Sequence, residues 1–330
     1  MRARRLFFRM AAVALAAVLL FSATACAENE ASDELFVMDT YVIMSARGNE
    51  AQKALEKAAD ELRGVDRDYS VSALGGEIEA LLRTGEIENP SEGLIAMLTC
   101  AKALWERTDG AYDVTAYALS EIWGFYGTEN RVPTDAEITA ALQLVGMDKI
   151  EFDGSRVRLN GVKGIDLGSI AKGYSGSLAQ KAVKSCDVKS AVLTLGGNVV
   201  TVGAKSGGGK FKVGVTDPAM PSDICGVLEV GETHVVTSGK YNRNFTVGEK
   251  TYHHIIDART GYPCENGVAQ VTVICDDGML ADGLSTALFL LGEQGALDYY
   301  TTYGGFEAVI VMDDGRIVLT DGAKAMFTGV

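Results

Sequence analysis

The chain has only three histidines, no CxxC pair and fewer basic than acidic residues. With so few histidines, no HExxH pattern and scattered cysteines, neither a zinc site nor a metal–thiolate centre is expected. The apolar run near the N-terminus, residues 10–21, is about twelve residues long, whereas a helix that spans a bilayer needs about twenty. Five cysteines follow Cys26, so at least one thiol is free, and a disulfide such as Cys264 with Cys275 stays possible.

The charge balance excludes several kinds of partner. The chain has 30 lysines and arginines against 44 aspartates and glutamates, and four of the arginines lie in the first nine residues. Without those four, 26 basic residues remain, for a net charge of about −18. We therefore expect no nucleic-acid binding and no electrostatic adhesion to anionic lipid. An anionic ligand must be held by a local site.

The N-terminus resembles an export signal. Arginines precede the apolar run, and "SATAC" then ends at Cys26, so residues 1–25 are predicted to be a signal peptide. Small residues before Cys26 form a lipobox-like site, in which this cysteine becomes the lipidated first residue. The alternative is an ordinary signal peptide cut near "ATA", since Ala23 stands where lipoproteins more often have leucine. Either way we expect an extracytoplasmic protein, and the lipobox predicts a lipid anchor to a bacterial membrane.

The remaining pattern predicts one α+β domain. Residues 26–34 read as a tether and 35–330 as the domain, which starts with a strand over 35–48. Apolar periodicity predicts helices over 50–66 and 93–108, and Thr134 with Glu137 forms a capping box. From about residue 148 short strands and turns dominate. A helix-rich N-terminal part followed by a strand-rich C-terminal part favours α+β over a doubly wound sheet.

The stretch "GIDLGSIAKGY", 164–174, is the first candidate site. We predict that residues 164–167 continue a strand and that Gly168 turns the chain into a helix near Ser169. Unpaired N–H groups at such a helix start suit phosphate oxygens, and Lys172 adds a full positive charge. Asp166 suits a ribose hydroxyl or an amino group. Gly168 is expected to tolerate a side chain least, and the alternative reading is a plain glycine turn with a surface lysine.

Oxygen ligands recur in "ADGLSTALFLLG", 281–292. On a helix, Asp282 and Thr286 share one face and Ser285 lies beside them. Asp282 could serve simply as a helix cap, but a cap does not account for Thr286. One carboxylate with hydroxyls suits a hard cation such as Mg²⁺.

A third segment, "YHHIIDARTGYP" (252–263), contains two of the three histidines. In a strand His253 and His254 face opposite sides, so at most one enters a given site. We assign the solvent-facing position to His253. A neutral imidazole can act as a general base, with a carboxylate such as Asp257 to fix its tautomer.

Taken together, the segments resemble the ApbE-type FAD:protein FMN transferases. The resemblance runs in order through "MDT" (38–40), "GAYDVT" (110–115), "IDLGSIAKGY" (165–174), "LTLGGN" (193–198), "TSGKYNR" (237–243), "HIIDARTGYP" (254–263) and "ADGLSTALFLLG". It implies a two-lobed fold with an FAD cleft between the lobes. The implied activity is Mg²⁺-dependent transfer of FMN from FAD to a Ser or Thr hydroxyl of an acceptor flavoprotein, with release of AMP.

The resemblance also assigns roles to residues. His254 would be the base, supported by Asp257, and Lys172 would neutralise charge at the pyrophosphate. The metal ligands would be Asp282, Thr286 and Ser169, with Ser285 a weaker candidate. The FAD site would be lined by Met38, Ala111, Tyr112, Asp113, Asp166, Lys172 and Ile255. The acceptor would carry a Ser/Thr-Gly-Ala-Ser/Thr type of motif.

The chain departs from the family pattern at several positions. Ser72 stands where an aromatic residue over the flavin is usual, and Tyr69 replaces it only after a shift in register. Gly76 and Leu82 replace a Ser and an Asn, and Ser177 replaces an Asp. These changes bear on the flavin contacts and on the balance of transfer against hydrolysis, but not on the metal chemistry. Two alternatives stay open: an FAD pyrophosphatase giving FMN and AMP, or, from a different class, an FAD-binding lipoprotein without chemistry.

Overall fold

The computed structural model describes residues 29–126, 129–205 and 207–330. The predicted signal peptide and Cys26 lie outside the described residues. The α+β class is confirmed, because strands that pair antiparallel throughout combine with helices packed on them.

The largest sheet has eight strands. Its order is β1, β2, β6, β7, β10, β13, β14, β15. These strands are β1 Glu30–Val37, β2 Thr40–Arg47, β6 Ser190–Leu195, β7 Asn198–Gly203, β10 Thr233–Gly239, β13 Val268–Cys275, β14 Glu307–Met312 and β15 Ile317–Leu319. Smaller sheets are formed by β3 Glu86–Glu88, β5 Arg156–Leu159 and β4 Ile150–Phe152; by β16 Phe327–Gly329, β9 Ile224–Val230 and β8 Phe211–Thr216; and by β11 Asn244–Val247 with β12 Lys250–His253.

Seven α-helices occur in the described ranges. They are α1 Ala51–Tyr69, α2 Glu77–Thr84, α3 Glu92–Arg107, α4 Tyr117–Ile122, α5 Asp135–Leu142, α6 Ala171–Lys184 and α7 Gly278–Tyr303. The predicted capping box on α5 is confirmed, since the Thr134 side chain accepts from the Glu137 N–H and the Glu137 carboxylate accepts from the Thr134 N–H. None of these helices is both long and apolar enough to cross a bilayer.

The prediction of one long strand over 35–48 is wrong. The structure has a hairpin, with Val37 opposite Thr40 across a two-residue turn. Met38 (φ 52°) and Asp39 (φ 55°) both adopt the left-handed conformation that such a turn requires. Residues 30–34, predicted as tether, belong to β1. The turn could not be recognised from the sequence, because Met-Asp lacks the glycine or asparagine that usually marks such a turn.

Residues 164–167 do not form a strand, and α6 begins at Ala171 rather than near Ser169. The chain crosses from β5 to α6 as extended coil and one turn, in which the N–H groups of Ile170 and Ala171 both donate to the Leu167 carbonyl. Several N–H groups predicted to be free for phosphate are therefore already used within the turn.

Apolar clusters lie on both faces of the large sheet. One face of β2, β6 and β7 packs on α1 and α6, and helices α3 and α7 cover the neighbouring strands. Beyond β10, the other face is covered by the small β8–β9–β16 sheet. The predicted split into helices and then strands is approximate, since β1 and β2 come from the N-terminal part and the longest helix, α7, lies in the C-terminal part.

Candidate active site

A cleft of about 940 Å³ lies where the β1–β2 turn, the 166–172 turn, the end of β10 and α7 meet. Segments more than 200 residues apart in sequence contribute to its walls. The predicted site residues that line it are Met38, Tyr112, Asp113, Asp166, Ser169, Lys172, His254, Ile255, Asp282 and Thr286. Ala111, Asp257 and Ser285 lie behind the walls.

Asp282 is the buried carboxylate of the cleft, with 3% of its surface exposed. The Gly173 N–H donates to its Oδ2 at 2.8 Å, and the Asn198 side-chain amide donates to Oδ1 at 3.3 Å. It is not a helix cap, because Asp277 caps α7 by accepting from the Leu280 N–H. Both partners of Asp282 are neutral donors, and a buried negative charge held only by neutral groups is suited to a cation.

Hydroxyl groups surround this carboxylate. Thr286, one turn along α7, has its Oγ1 3.1 Å from the Oγ of Ser238 on β10. Ser285 is fully buried, donates to the Asp282 carbonyl at 2.8 Å and contacts Ser238 at 2.7 Å. The Ser285 hydroxyl thus links α7 to β10 within the protein interior. Ser169 contacts the Tyr112 hydroxyl at 3.0 Å across the turn.

The donor set fits a hard cation. Asp282 and Thr286 present one carboxylate and one hydroxyl to the cleft, Ser169 lies on the same wall, and oxygen donors of this kind suit Mg²⁺. The described residues contain no cluster of three or more His, Cys, Asp or Glu side chains able to hold a metal alone. A cation here would complete its shell with ligand and water oxygens, as Mg²⁺ commonly does.

Lys172 and Asp166 line the cleft from the same turn that carries Ser169. The Lys172 Nζ donates to the Gly168 carbonyl at 2.7 Å, so the ammonium is held against the turn that lines the cleft. The Asp166 Oδ1 accepts from the Gly168 N–H at 2.8 Å, and its Oδ2 accepts from the Tyr126 hydroxyl. Asp166 is thereby oriented before any ligand arrives.

An aromatic wall adjoins Asp166. The rings of Tyr117 and Tyr126 stack with centroids 5.2 Å apart and an interplanar angle of 28°, and both line the cleft. Tyr69 also lines it, with its hydroxyl 2.7 Å from the Ser91 Oγ. The cleft therefore has aromatic surface even though Ser72 replaces the usual aromatic residue.

The ring of His254 is held in one tautomer. Its Nδ1 lies 3.2 Å from the Arg243 carbonyl, and since a carbonyl only accepts, Nδ1 carries the proton. Nε2 is then the unprotonated nitrogen, which can accept a proton. Desolvation of the ring, with smaller contributions from the positive charges of Arg243 and Lys172, lowers the His254 pKa to about 4. The imidazole is therefore neutral near pH 7.

Asp257 was predicted to support His254, but in the structure its carboxylate binds a different residue. The Asp257 carboxylate binds Arg259, with Oδ2 2.7 Å from Nη2, and it also accepts the Arg259 N–H. The orienting group of His254 is instead the Arg243 carbonyl. The assignment of His253 to solvent is wrong: it is 5% exposed and its Nε2 lies 3.0 Å from the Cys264 carbonyl. The two rings do have different surroundings, since His253 packs against Phe289 and His254 packs against Phe125.

Two residues predicted to line the FAD site, Asp113 and Ala111, make hydrogen bonds within the protein. Both carboxylate oxygens of Asp113 are engaged, since Oδ1 accepts from the Thr115 N–H at 2.8 Å and Oδ2 from the Met147 N–H at 3.0 Å. Burial raises the Asp113 pKa. The Ala111 carbonyl accepts from the Ala258 N–H at 3.3 Å and so joins this turn to the segment after His254.

Sequence reasoning missed Asn198, Ser238 and the pair Tyr117 and Tyr126 as site residues. Asn198 and Ser238 stand inside the quoted "LTLGGN" and "TSGKYNR", so the motifs marked their segments without showing which side chain faces the cleft. The two tyrosines carried no spacing signal. The possible Cys264–Cys275 disulfide is absent, because the five cysteines in the described part of the chain are free thiols.

Fold and cleft together define an α+β enzyme with a large ligand cleft. The chain belongs to the ApbE family, whose profile matches residues 38–310. The FAD:protein FMN transferase of Klebsiella pneumoniae (strain 342) is 31% identical over 245 residues, covering 72% of this chain and 75% of the relative. That of Rhodobacter capsulatus is 30% identical over 312 residues, covering 91% of this chain and 59% of the relative.

Solved structures give the same assignment. The crystal structure of the ApbE protein from Thermotoga maritima superposes with a TM-score of 0.83 at 31% identity, over 90% of this chain and 99% of that one. The flavinyl transferase ApbE of Pseudomonas stutzeri, in its apo form, gives a TM-score of 0.81 at 25% identity, over 93% and 99%.

Proposed function

We propose that the protein transfers FMN from FAD to a Ser or Thr hydroxyl of an acceptor flavoprotein, forming a phosphoester and releasing AMP. The observation that carries the proposal is one cleft that is lined both by a buried, oxygen-rich site at Asp282 and by a neutral imidazole, His254, whose Nε2 is unprotonated. The names of the relatives agree with it.

We further propose that the activity depends on Mg²⁺. Asp282, Thr286 and Ser169 would hold the cation, since their oxygens suit it and Asp282 has only neutral donors around it. When bound, the cation supplies charge neutralisation at the phosphate oxygens.

The chain's own residues would bind and orient FAD. Lys172 provides positive charge for the pyrophosphate from the same turn that presents Ser169. Asp166, oriented by Tyr126, offers a carboxylate to a ribose hydroxyl or an amino group. Tyr117 and Tyr126 offer a flat surface for a planar ring.

The transfer step then balances as follows. His254 Nε2 takes the proton of the acceptor hydroxyl, and the oxygen forms a new P–O bond at the FMN phosphorus. The bond from that phosphorus to the bridging oxygen breaks, and AMP departs with the bridging oxygen and the electron pair. If water replaces the hydroxyl, the products are free FMN and AMP.

The pH profile of the reaction should report the state of His254. Lowering the pH through about 4 protonates Nε2 and removes the base, so kcat/KM for FAD should fall there rather than near 6.5. His254→Ala should lower the rate roughly a hundredfold and abolish that limb. Initial rates of AMP release from pH 3.5 to 8 test this. A limb that persists in the alanine variant would exclude His254 as its source.

Tyr126 should control FAD affinity. Tyr126→Ala removes the ring and the hydroxyl that orients Asp166, and should weaken FAD binding about tenfold or more, since stacking on an aromatic ring contributes about 1–3 kcal/mol. Tyr126→Phe keeps the ring and should lose less. Titration of FAD fluorescence measures both, with Tyr303→Ala, at the far end of α7, as the control. Equal affinities in all four proteins would contradict the proposed platform.

One incubation tests the function itself. The protein is mixed with FAD, Mg²⁺ and a domain bearing a Ser/Thr-Gly-Ala-Ser/Thr motif, and AMP and acceptor mass are followed. AMP with flavinylated acceptor supports transfer. AMP with free FMN supports the pyrophosphatase alternative, and bound, intact FAD supports a binding protein without chemistry.

We also propose that the protein works outside the cytoplasm, attached to the membrane through a lipid on Cys26, where membrane or secreted electron-transfer flavoproteins would be its acceptors. The leader sequence supports this. The mass of the mature N-terminal peptide tests it, and an unmodified N-terminus other than Cys26 would refute it.

A further inference from the structure

The β1–β2 hairpin carries an apolar group on its outward face. Phe36 is 60% exposed, Tyr41 75% and Ile43 53%, values unusual for large apolar side chains. Phe36 lies opposite Tyr41 in the strand register, their rings meet edge to face at 5.2 Å, and Ile43 follows two residues along β2. The opposite face of the same hairpin, with Val42 and Met44, is buried in the core. We call Phe36, Tyr41 and Ile43 the hairpin patch.

The hairpin patch is continuous with the wall of the cleft. Val37 ends β1, and the next three residues, Met38, Asp39 and Thr40, all line the cleft. Asp39 also contacts the segment that orients His254, since its carboxylate lies 3.6 Å from the guanidinium of Arg243, whose carbonyl holds the His254 ring. A segment lying on the patch would thus be delivered to the side of the cleft that holds the proposed base.

The backbone beside the patch is suited to an extended segment. β1 is the terminal strand of the eight-stranded sheet, so its outer edge faces no other strand among the described residues. An exposed edge can accept one more strand through main-chain hydrogen bonds, with pockets for alternate side chains supplying specificity. Charge selects the occupant further: Glu34 lies on the patch face opposite Ile43, and Asp39 follows in the turn.

We propose that the hairpin patch and the β1 edge dock an extended segment of the acceptor protein that carries an apolar side chain and a basic residue near the target hydroxyl. This proposal rests on the proposed transfer function, because only a protein acceptor needs a surface beyond the cleft. A membrane fits less well, since a surface flanked by Glu34 and Asp39 repels anionic lipid.

The test separates docking from chemistry. Flavinylation of an acceptor domain is measured against its concentration, and AMP release without acceptor is measured in parallel. Phe36→Ser with Tyr41→Ser should raise the acceptor KM about tenfold or more, as expected for loss of aromatic anchors, while KM for FAD and acceptor-free AMP release stay unchanged. Met220→Ser is the matched control, since Met220 is 56% exposed and lies outside the patch and the cleft.

A second variant tests the charge. Glu34→Lys should also raise the acceptor KM, and Glu34→Gln should raise it less, with both differences shrinking at high salt. If the parent flavinylates the acceptor and the acceptor KM of the patch variants lies within twofold of the parent value, docking at the hairpin is wrong and the transfer function stands. If the parent neither labels acceptor nor releases AMP, transfer and docking both fail. Co-sedimentation of the parent, but not the patch variant, with phosphatidylcholine–phosphatidylglycerol vesicles would overturn the protein occupant in favour of lipid.

Discussion

Replacing Asp282 by alanine is expected to abolish AMP formation from FAD. Asp282 is the buried carboxylate of the cleft, and its oxygens are held by the Gly173 N–H and the Asn198 amide. Without its charge the proposed cation site loses its only carboxylate. A loss of about 4 kcal/mol of transition-state stabilisation, roughly a thousandfold in rate, is the expected scale. AMP release at saturating FAD and Mg²⁺ measures it.

Two further variants make the Asp282 result specific. Asp282→Asn preserves the size of the side chain but not its charge, so it should be nearly as inactive as the alanine variant. Asp277→Ala removes an acidic residue from the start of the same helix, where it caps the Leu280 N–H. It should cost about 1 kcal/mol of stability and leave turnover intact. Normal turnover in Asp282→Ala would refute the cation assignment.

Gly173→Ala should damage the site through packing. A Cβ at Gly173 would lie 2.0 Å from the Gly278 carbonyl oxygen and 2.5 Å from the Asp282 Cβ. Alanine normally favours a helix by about 1 kcal/mol over glycine, but a clash with backbone cannot be relieved by a rotamer change. We expect a net loss of about 2–3 kcal/mol in the free energy of unfolding, together with a displaced Asp282 and loss of most activity. Denaturant unfolding and AMP release measure the two effects.

Gly168→Ala is the matched control. The sequence suggested that Gly168 would tolerate a side chain least, and this expectation is wrong. Its backbone is not left-handed, and the nearest neighbour of an added Cβ is the Asp166 Oδ1 at 3.1 Å. A small shift of that carboxylate relieves the contact, so stability should change by less than about 1 kcal/mol. Equal losses at the two glycines would contradict the assignment of Gly173 as the close-packing position.

Periodicity predicted the elements that bury one face. The helices over 50–66 and 93–108 are close to α1 and α3, because their apolar residues follow the helical repeat and become the core. The hairpin of β4 with β5 agrees with the short strands and turns expected from about residue 148. Extended coil was mistaken for strand at 164–167, since a buried apolar segment shows no repeat that tells the two apart.

The sequence predicted which segments form the site, but it did not predict which groups hydrogen-bond to the site residues. Asp282, Thr286, Lys172 and His254 all reach the cleft, as their motifs suggested. Which group orients His254 depended on how β11 and β12 place the Arg243 carbonyl, and a backbone atom leaves no mark in the sequence. The nearness of Asn198 to Asp282 follows from β7 and α7 meeting at the cleft, a tertiary contact between distant segments.

The strand order of the large sheet affects how the chain can fold. β2 pairs with β6, and Val42 and Leu195, which lie opposite each other in the register, are roughly 150 residues apart along the chain. The hairpin with Met38 and Asp39 is synthesised first, yet its neighbour in the sheet comes much later. Such long-range pairing predicts slow folding. The cleft also needs α7, which lies near the C-terminal end, so a chain that lacks this helix would have no complete FAD cleft.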